Sequence, residues 1–310
     1  MSYSSPGITF DEARFDPMRI TEVRHTLMEH PLLQLPSLIE LGKRLDAAGS
    51  VRSHNASAQP STNFATAPET HPATLSTEET IRRIEEAKSW LSLLHIQRDP
   101  LYRTLVDEVL DHLQPRIEAR DPGMHHRAGW IFITSPGAVT PFHFDHEHNF
   151  ILQILGKKRV YVWDPLDTQV VTEDALETFH GRLSRDRLLW RDDHLARANA
   201  FDFLPGLGAY MPQTAPHLVE NGDGVSITLS VTYYTHATRR RQELHRANHL
   251  LRRMGLAPSP VNRVAPAEPV KGLAFRSLRA GRKAMARVKG QTVLNLGEKH
   301  AELELCKGVY

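Results

Sequence analysis

Two stretches of this chain carry side chains that could do metal chemistry. In Thr140-Pro141-Phe142-His143-Phe144-Asp145-His146-Glu147-His148-Asn149 a histidine and an aspartate stand two residues apart. If the segment is extended, a side-chain period of two puts His143 and Asp145 on one face, close enough to share an ion. The best-placed third ligand is His217, in Tyr210-Met211-Pro212-Gln213-Thr214-Ala215-Pro216-His217, just before the β-prone run Val225 to Tyr234. Two histidines and one carboxylate bind one face of an ion. That arrangement suits non-haem Fe(II), because the opposite face stays open for a bidentate co-substrate and for dioxygen. Glu147 falls on the His143/Asp145 face and is a rival ligand; a turn after Asp145 would leave it to contact the ligands or the substrate instead. His180, His194, His236, His245 and His249 are scattered and are expected at the surface.

The elements around these stretches can be read from periodicity and punctuation. Ile20 to Leu45 reads as two helices broken at His30-Pro31 and Leu35-Pro36, since proline disfavours helical geometry in the residue before it. From Asn55 to Ser76 the composition shifts to Ala, Ser, Thr, Pro and Asn, which predicts a flexible linker or a mobile lid. Ser76-Thr77-Glu78-Glu79 offers a capped helix start, Trp90 to Ile96 a strand ended by Asp99-Pro100, and Leu101 to Ile117 a second helix. Gly129 to Thr134, Val160 to Trp163, Ala200 to Leu204 and Val225 to Tyr234 read as strands, the last long enough to be central. Helices ahead of strands argue for an α+β fold with a mainly β core built on an antiparallel sheet. The expected organisation is therefore flanking helices and strands over 1–128, with the linker at 55–76, and a catalytic barrel over 129–235 with a charged insert at 167–200. A basic helix and an irregular tail fill 236–310.

Bulk properties exclude several classes. A net charge of +2 over 310 residues, with 24% charged and 40% hydrophobic residues, describes an ordinary globular chain without a dominating field. No run approaches a membrane span, and Met1 to Pro6 lacks the pattern of a signal peptide, so the expected compartment is cytoplasmic. The single cysteine, Cys306, excludes an intrachain disulfide and a thiolate-held zinc. Arg182, Arg185, Arg187 and Arg191 in the insert read first as a solvated face and second as a greeting for an anionic substrate. Leu244, Leu250, Leu251 and Met254 make a helical stripe that could pair two subunits, whereas the basic tail carries no nucleic-acid recognition motif.

From Gly129 to about Tyr234 the chain resembles the cupin superfamily, and within it the jumonji-C-like Fe(II)/2-oxoglutarate dioxygenases. His143-x-Asp145, then Asn149 and Gly156, stand where the first cupin motif has its paired ligands, its acidic residue and its glycine. Pro205-Gly206, His217 and Asn221 resemble the second motif. The resemblance implies a double-stranded β-helix, or jelly roll, with N-terminal helical padding. It further implies Fe(II) held by His143, Asp145 and His217, with 2-oxoglutarate as co-substrate and O2 as oxidant. Asparaginyl-hydroxylase members of that group carry a threonine three residues before the first ligand, an asparagine four after the aspartate and a lysine in a Gly-x-Lys-Arg step. Thr140, Asn149 and Lys158 match these positions. Strand alternation alone leaves Lys157 and Lys158 equivalent; the resemblance selects Lys158.

Three positions depart from the family pattern. Ser230 stands where a second asparagine is usual, Thr214-Ala215-Pro216 replaces the aromatic approach to the distal histidine, and the tyrosine that often meets the far carboxylate has no counterpart, since Trp130 and Phe132 lack a hydroxyl. A plain metal-binding cupin without redox chemistry, an isomerase or a regulatory module, would keep the ligands and not need Lys158. Nothing in the sequence identifies the primary substrate, which could be a protein side chain, a peptide or a small metabolite.

Overall fold

The computed structural model describes residues 7–261 and 268–288. Cys306, the Met1 to Pro6 segment, residues 262–267 and the tail beyond 288 lie outside the described residues.

The N-terminal part supplies the padding. Strand β1 (Thr21–Arg24) and helix α1 (Leu35–Ala47) are followed by β2 (Val51–Asn55), the short α2 (Ala67–Thr70), α3 (Thr77–Arg82), β3 (Ser89–Leu93) and α4 (Pro100–Glu118). Helix α3 starts where the sequence places it, because Ser76 and Glu79 form a reciprocal capping box. Asp99-Pro100, expected to end a strand, instead begins α4: the Asp99 side chain accepts from the Leu101 N–H and Pro100 takes the first turn. The first of the two helices expected between Ile20 and Leu45 is not formed. Thr21–Arg24 is a strand there, hydrogen-bonded to Leu207–Tyr210, so pairing with a distant segment overrides local propensity.

The remaining strands are β4 (His125–Thr134), β5 (Val139–His143), β6 (His148–Leu155), β7 (Lys158–Val162), β8 (Asn199–Phe203), β9 (Leu207–Met211), β10 (His217–Asn221) and β11 (Ser226–Tyr234). They form two sheets, one of seven strands ordered β1-β9-β6-β11-β4-β3-β2 and one of four ordered β5-β10-β7-β8. Every named pairing is antiparallel. Successive strands from β4 to β11 switch between the sheets except β7 and β8, which pair within the smaller one, and this is the jelly-roll topology. Strand β11 is central in the larger sheet, as its length and apolar content predict. Strands β3 and β2 extend that sheet past β4.

One core lies between the larger sheet and helices α1 and α4, built on Leu38, Leu41, Val106, Leu110, Ile131, Ile133 and Leu229. A second joins β5 to helix α5 (Glu173–Arg182) through Phe142, Phe144, Trp163 and Phe179. Gly156 turns β6 into β7 at φ +76°, and a Cβ there would collide with the Val225 carbonyl. At the C-terminal end α6 (His236–Arg253) packs on α5, and α7 (Glu268–Val288) packs on α6. The helical stretch 268–288 corrects the expectation of an irregular tail there. Among the described residues no helix is long and apolar enough to cross a membrane.

Stretch 55–76 is also not the loose linker its composition predicts. Ala58, Phe64 and Ala67 are buried, the Phe142 N–H donates to the Pro60 carbonyl at 3.1 Å, and the Arg52 guanidinium donates to the Phe64 carbonyl. Three small or aromatic anchors on a polar background are enough to strap the segment to the barrel.

Candidate metal centre

The barrel brings the three predicted ligands to one end of the four-stranded sheet. His143 is the last residue of β5 and His217 the first of β10, and the two are directly opposed in the ladder. Asp145 follows two residues after His143, its backbone carbonyl accepting the Thr214 N–H at 2.9 Å. Thr214 itself sits at φ +59°, so the turn that delivers His217 holds a non-glycine residue in the left-handed region. The ligand atoms of His143, Asp145 and His217 all lie within 4.8 Å of one another, and no other such group occurs among the described residues.

The donor atoms are preset for a cation. His143 Nδ1 lies 2.8 Å from the Pro141 carbonyl and His217 Nδ1 lies 3.1 Å from the Ala215 carbonyl. A carbonyl only accepts, so each Nδ1 carries the proton and each Nε2 presents its lone pair. Both Nε2 atoms are 3.6 Å from Asp145 Oδ2. The other carboxylate oxygen, Oδ1, accepts from Arg185 Nη2 at 2.9 Å, while Arg185 Nε donates to the Phe144 carbonyl at 2.8 Å. Arg185 thus fixes the aspartate so that one oxygen faces the histidines. Burial, and then the neighbouring His217, push the His143 imidazole well below its ordinary range, which keeps it neutral. Burial would raise the Asp145 carboxyl, but His143, His217 and Arg185 outweigh it and hold the group below its usual value.

Below the ligands a cavity opens between the sheets. It is lined by Thr140, Asn149, Lys158 and Ser230, the four non-ligand positions singled out in the sequence, together with Trp90, Ser92 and Phe64. Burial distinguishes the lysine pair: Lys158 is 6% exposed and lines the cavity, whereas Lys157 is exposed. Burial alone pushes Lys158 down from 10.5 to about 7. Ser230 Oγ donates to Asn149 Oδ1 at 2.7 Å.

Several residues that matter here were not picked out from sequence. Trp90 Nε1 donates to Thr140 Oγ1 at 2.8 Å, putting an indole N–H on the cavity wall where a tyrosine had been sought. The signal was present only as an aromatic in a buried strand. Arg185 was read as part of a solvated face, yet its side chain is 9% exposed, while Arg182, Arg187 and Arg191 are exposed as expected. Phe64 stacks on His143 with centroids 3.7 Å apart and planes within 2°. Glu147 lines the cavity and accepts from the Tyr234 hydroxyl at 2.7 Å, outside the three-ligand group. His180, His194 and His245, expected at the surface, are buried, His180 and His245 where α5 meets α6.

A family model described as a cupin-like domain matches residues 50–239. Among solved structures, the chain is similar to the X-ray structure of Escherichia coli YcfD at 16% identity, covering 88% of this chain and 68% of that one, with a TM-score of 0.47. A structure of E. coli YcfD, described as a ribosomal oxygenase in complex with cobalt and succinic acid, aligns at 16% identity over 85% of this chain and 64% of that one, with a TM-score of 0.42. The DMSP lyase DddQ from Ruegeria pomeroyi aligns at 13% identity over 35% of this chain and 38% of that one, with a TM-score of 0.23. No curated protein matches the chain.

Proposed function

The chain belongs to the cupin-like domain family, and from that premise we propose that it is an Fe(II)- and 2-oxoglutarate-dependent oxygenase that hydroxylates a carbon of its substrate. The observation that carries this reading is the pairing, in one cavity, of a two-histidine, one-carboxylate face with a deeply buried lysine. A non-redox metal site has use for the first and none for the second.

The residues fit the metal. Two imidazoles with proton-bearing Nδ1 atoms and one carboxylate oxygen held toward them form a facial donor set of the type that suits Fe(II) with open positions. Bound iron with 2-oxoglutarate and dioxygen would supply oxidative decarboxylation to succinate and CO2 together with hydroxylation of a substrate carbon. Lys158 pairs in register with Asn221, four residues along β10 from His217, an offset of about 13 Å between backbone levels. The lysine side chain and a five-carbon diacid can span that gap together. Thr140 and Lys158 stand on strands either side of β10, so the Thr140 hydroxyl, oriented by the Trp90 indole N–H it accepts, and the Lys158 ammonium would receive the far carboxylate. Asn149 and Ser230 hold each other and would flank the chelating end. The ligands' own hydrogen bonds fix orientation, and the cavity's aromatic walls, Trp90, Trp130 and Phe132, exclude water.

The test is an anaerobic titration of the purified protein with Fe(II) and then 2-oxoglutarate, following the weak visible charge-transfer band of the chelate. The band is expected in the wild type and lost in His217→Ala, and Asp145→Ala is expected to abolish substrate-coupled succinate formation. Metal binding without the band would instead leave a non-redox cupin as the surviving account.

A further inference from the structure

Arg52 is a buried cation that makes no ion pair among the described residues, although Asp145 lies near enough to attract it. It lies on β2, is 4% exposed, and packs its guanidinium 4.3 Å from the centroid of Phe64, the ring that stacks on His143. One nitrogen, Nη2, donates to the Phe64 carbonyl, while Nε and Nη1 are buried with no acceptor among the described residues. Its ladder partner on β3 is Ser92, which is fully buried, lines the cavity, and has an Oγ likewise without a partner. Opposed residues of an antiparallel pair project from the same face with Cβ atoms about 5 Å apart. The Ser92 hydroxyl therefore lies on the cavity wall, with Arg52 beside it on the same sheet face and against Phe64.

Leaving such donors unmade is expensive, about 1–3 kcal/mol for each buried group and more for a charged one. Burial pushes the Arg52 guanidinium down to about 9, which leaves it charged at neutral pH. The nearby carboxylate does not answer it, because Asp145 is held by Arg185 at 2.9 Å. In the function proposed above, one carboxylate of the co-substrate would go to the metal and the other to Lys158. Among the described residues, Arg52 is the cation against the cavity wall that remains.

We propose that Arg52 and Ser92 bind a carboxylate of the primary substrate, which makes that substrate an organic acid or an acidic residue of a peptide. Its anionic group is anchored beside Phe64, and the adjoining carbons are presented toward the His143–Asp145–His217 face. The role assigned to the anchor rests on the oxygenase reading; the existence of the anion site does not.

The test titrates the intact protein, with Mn(II) and N-oxalylglycine filling the metal and Lys158 positions, with propionate, propionamide and phosphate in turn. Tryptophan fluorescence is the readout, since Trp90 and Trp130 line the cavity. Propionate is expected to give a saturable response that the amide lacks and that phosphate does not exceed. Arg52→Gln should weaken it about tenfold, the loss of one charge-assisted contact, and Arg52→Lys by less. Because Arg52 also holds the strap, Asn63→Ala, which removes the exposed side chain that accepts the Ala65 and Thr66 N–H groups, controls for loosening and should retain the propionate response. An unchanged response in Arg52→Gln, equal responses to acid and amide, a preference for phosphate, or a loss reproduced by Asn63→Ala would each overturn the assignment. Failure of Mn(II) and N-oxalylglycine to bind while the Arg52-dependent response persists would sink the oxygenase reading alone. A capped aspartate peptide compared with free propionate then separates a peptide-borne acid from a free one.

Discussion

Replacing Lys158 by methionine should stabilise the protein while removing the co-substrate contact proposed for it. The lysine is held at about 7 against an ordinary 10.5, with burial as the cause. At 1.36 kcal/mol per pH unit the difference is on the order of 5 kcal/mol. The folded group binds its proton less readily than the unfolded one, so the penalty is fully present below about pH 7 and fades as pH rises toward 10.5. Lys158→Met has a similar length and no charge to bury. Urea unfolding of the metal-free protein should therefore show the variant more stable by several kcal/mol at pH 6, and by only about 2 kcal/mol at pH 9. The same variant should show no 2-oxoglutarate chelate band while still binding metal. Equal stabilities at pH 6, or a difference that does not change with pH, would refute the claim that Lys158 is charged against the pull of its surroundings. Such an excess of burial over pairing is what a site waiting for an anion should show.

Trp90→Phe removes the indole N–H that reaches Thr140 and keeps the aromatic wall; the Kd for 2-oxoglutarate should rise about tenfold with metal affinity unchanged, as read by the same chelate titration. Arg185→Ala frees Asp145 Oδ1 and should weaken Fe(II) binding about 10- to 100-fold in a competition assay with a chromophoric chelator. Arg182→Ala, at an exposed neighbour, should have no effect and serves as the control. Gly156→Ala forces φ +76° on a residue with a Cβ that meets the Val225 carbonyl, and should lower the urea-unfolding free energy by more than about 1 kcal/mol.

Much of the site was legible because the chemistry is local in sequence. His143 and Asp145 share a face by period alone, and the extended runs around them read as strands. Lys158 needed the resemblance, since Lys157 and Lys158 are adjacent lysines of the same type, and the register of β7, which begins at Lys158, decided which one is buried. Trp90 and Arg185 were not legible as site residues. Each reaches the site from an element remote in sequence, across 50 residues to Thr140 and across 40 to Asp145, and neither carries a spacing that marks such a reach. The strap at 55–76 was misjudged for a related reason. Its composition cannot bury much surface by itself, but Phe64 finds a ready-made face on His143, and that face exists only in the folded barrel.

By itself the sequence determined the candidate ligand types, their shared face and the alternation of strands, because those follow from the covalent period of an extended chain and the identities of the side chains. The tertiary structure decided what those residues meet. It chose Lys158 over Lys157, drew Arg185 out of the solvated insert onto Asp145, and folded the strap so that Arg52 was buried beside the cavity with donors left unanswered. Such outcomes depend on which distant strand supplies the neighbour, and a ladder between segments far apart in the chain leaves no local mark on either one.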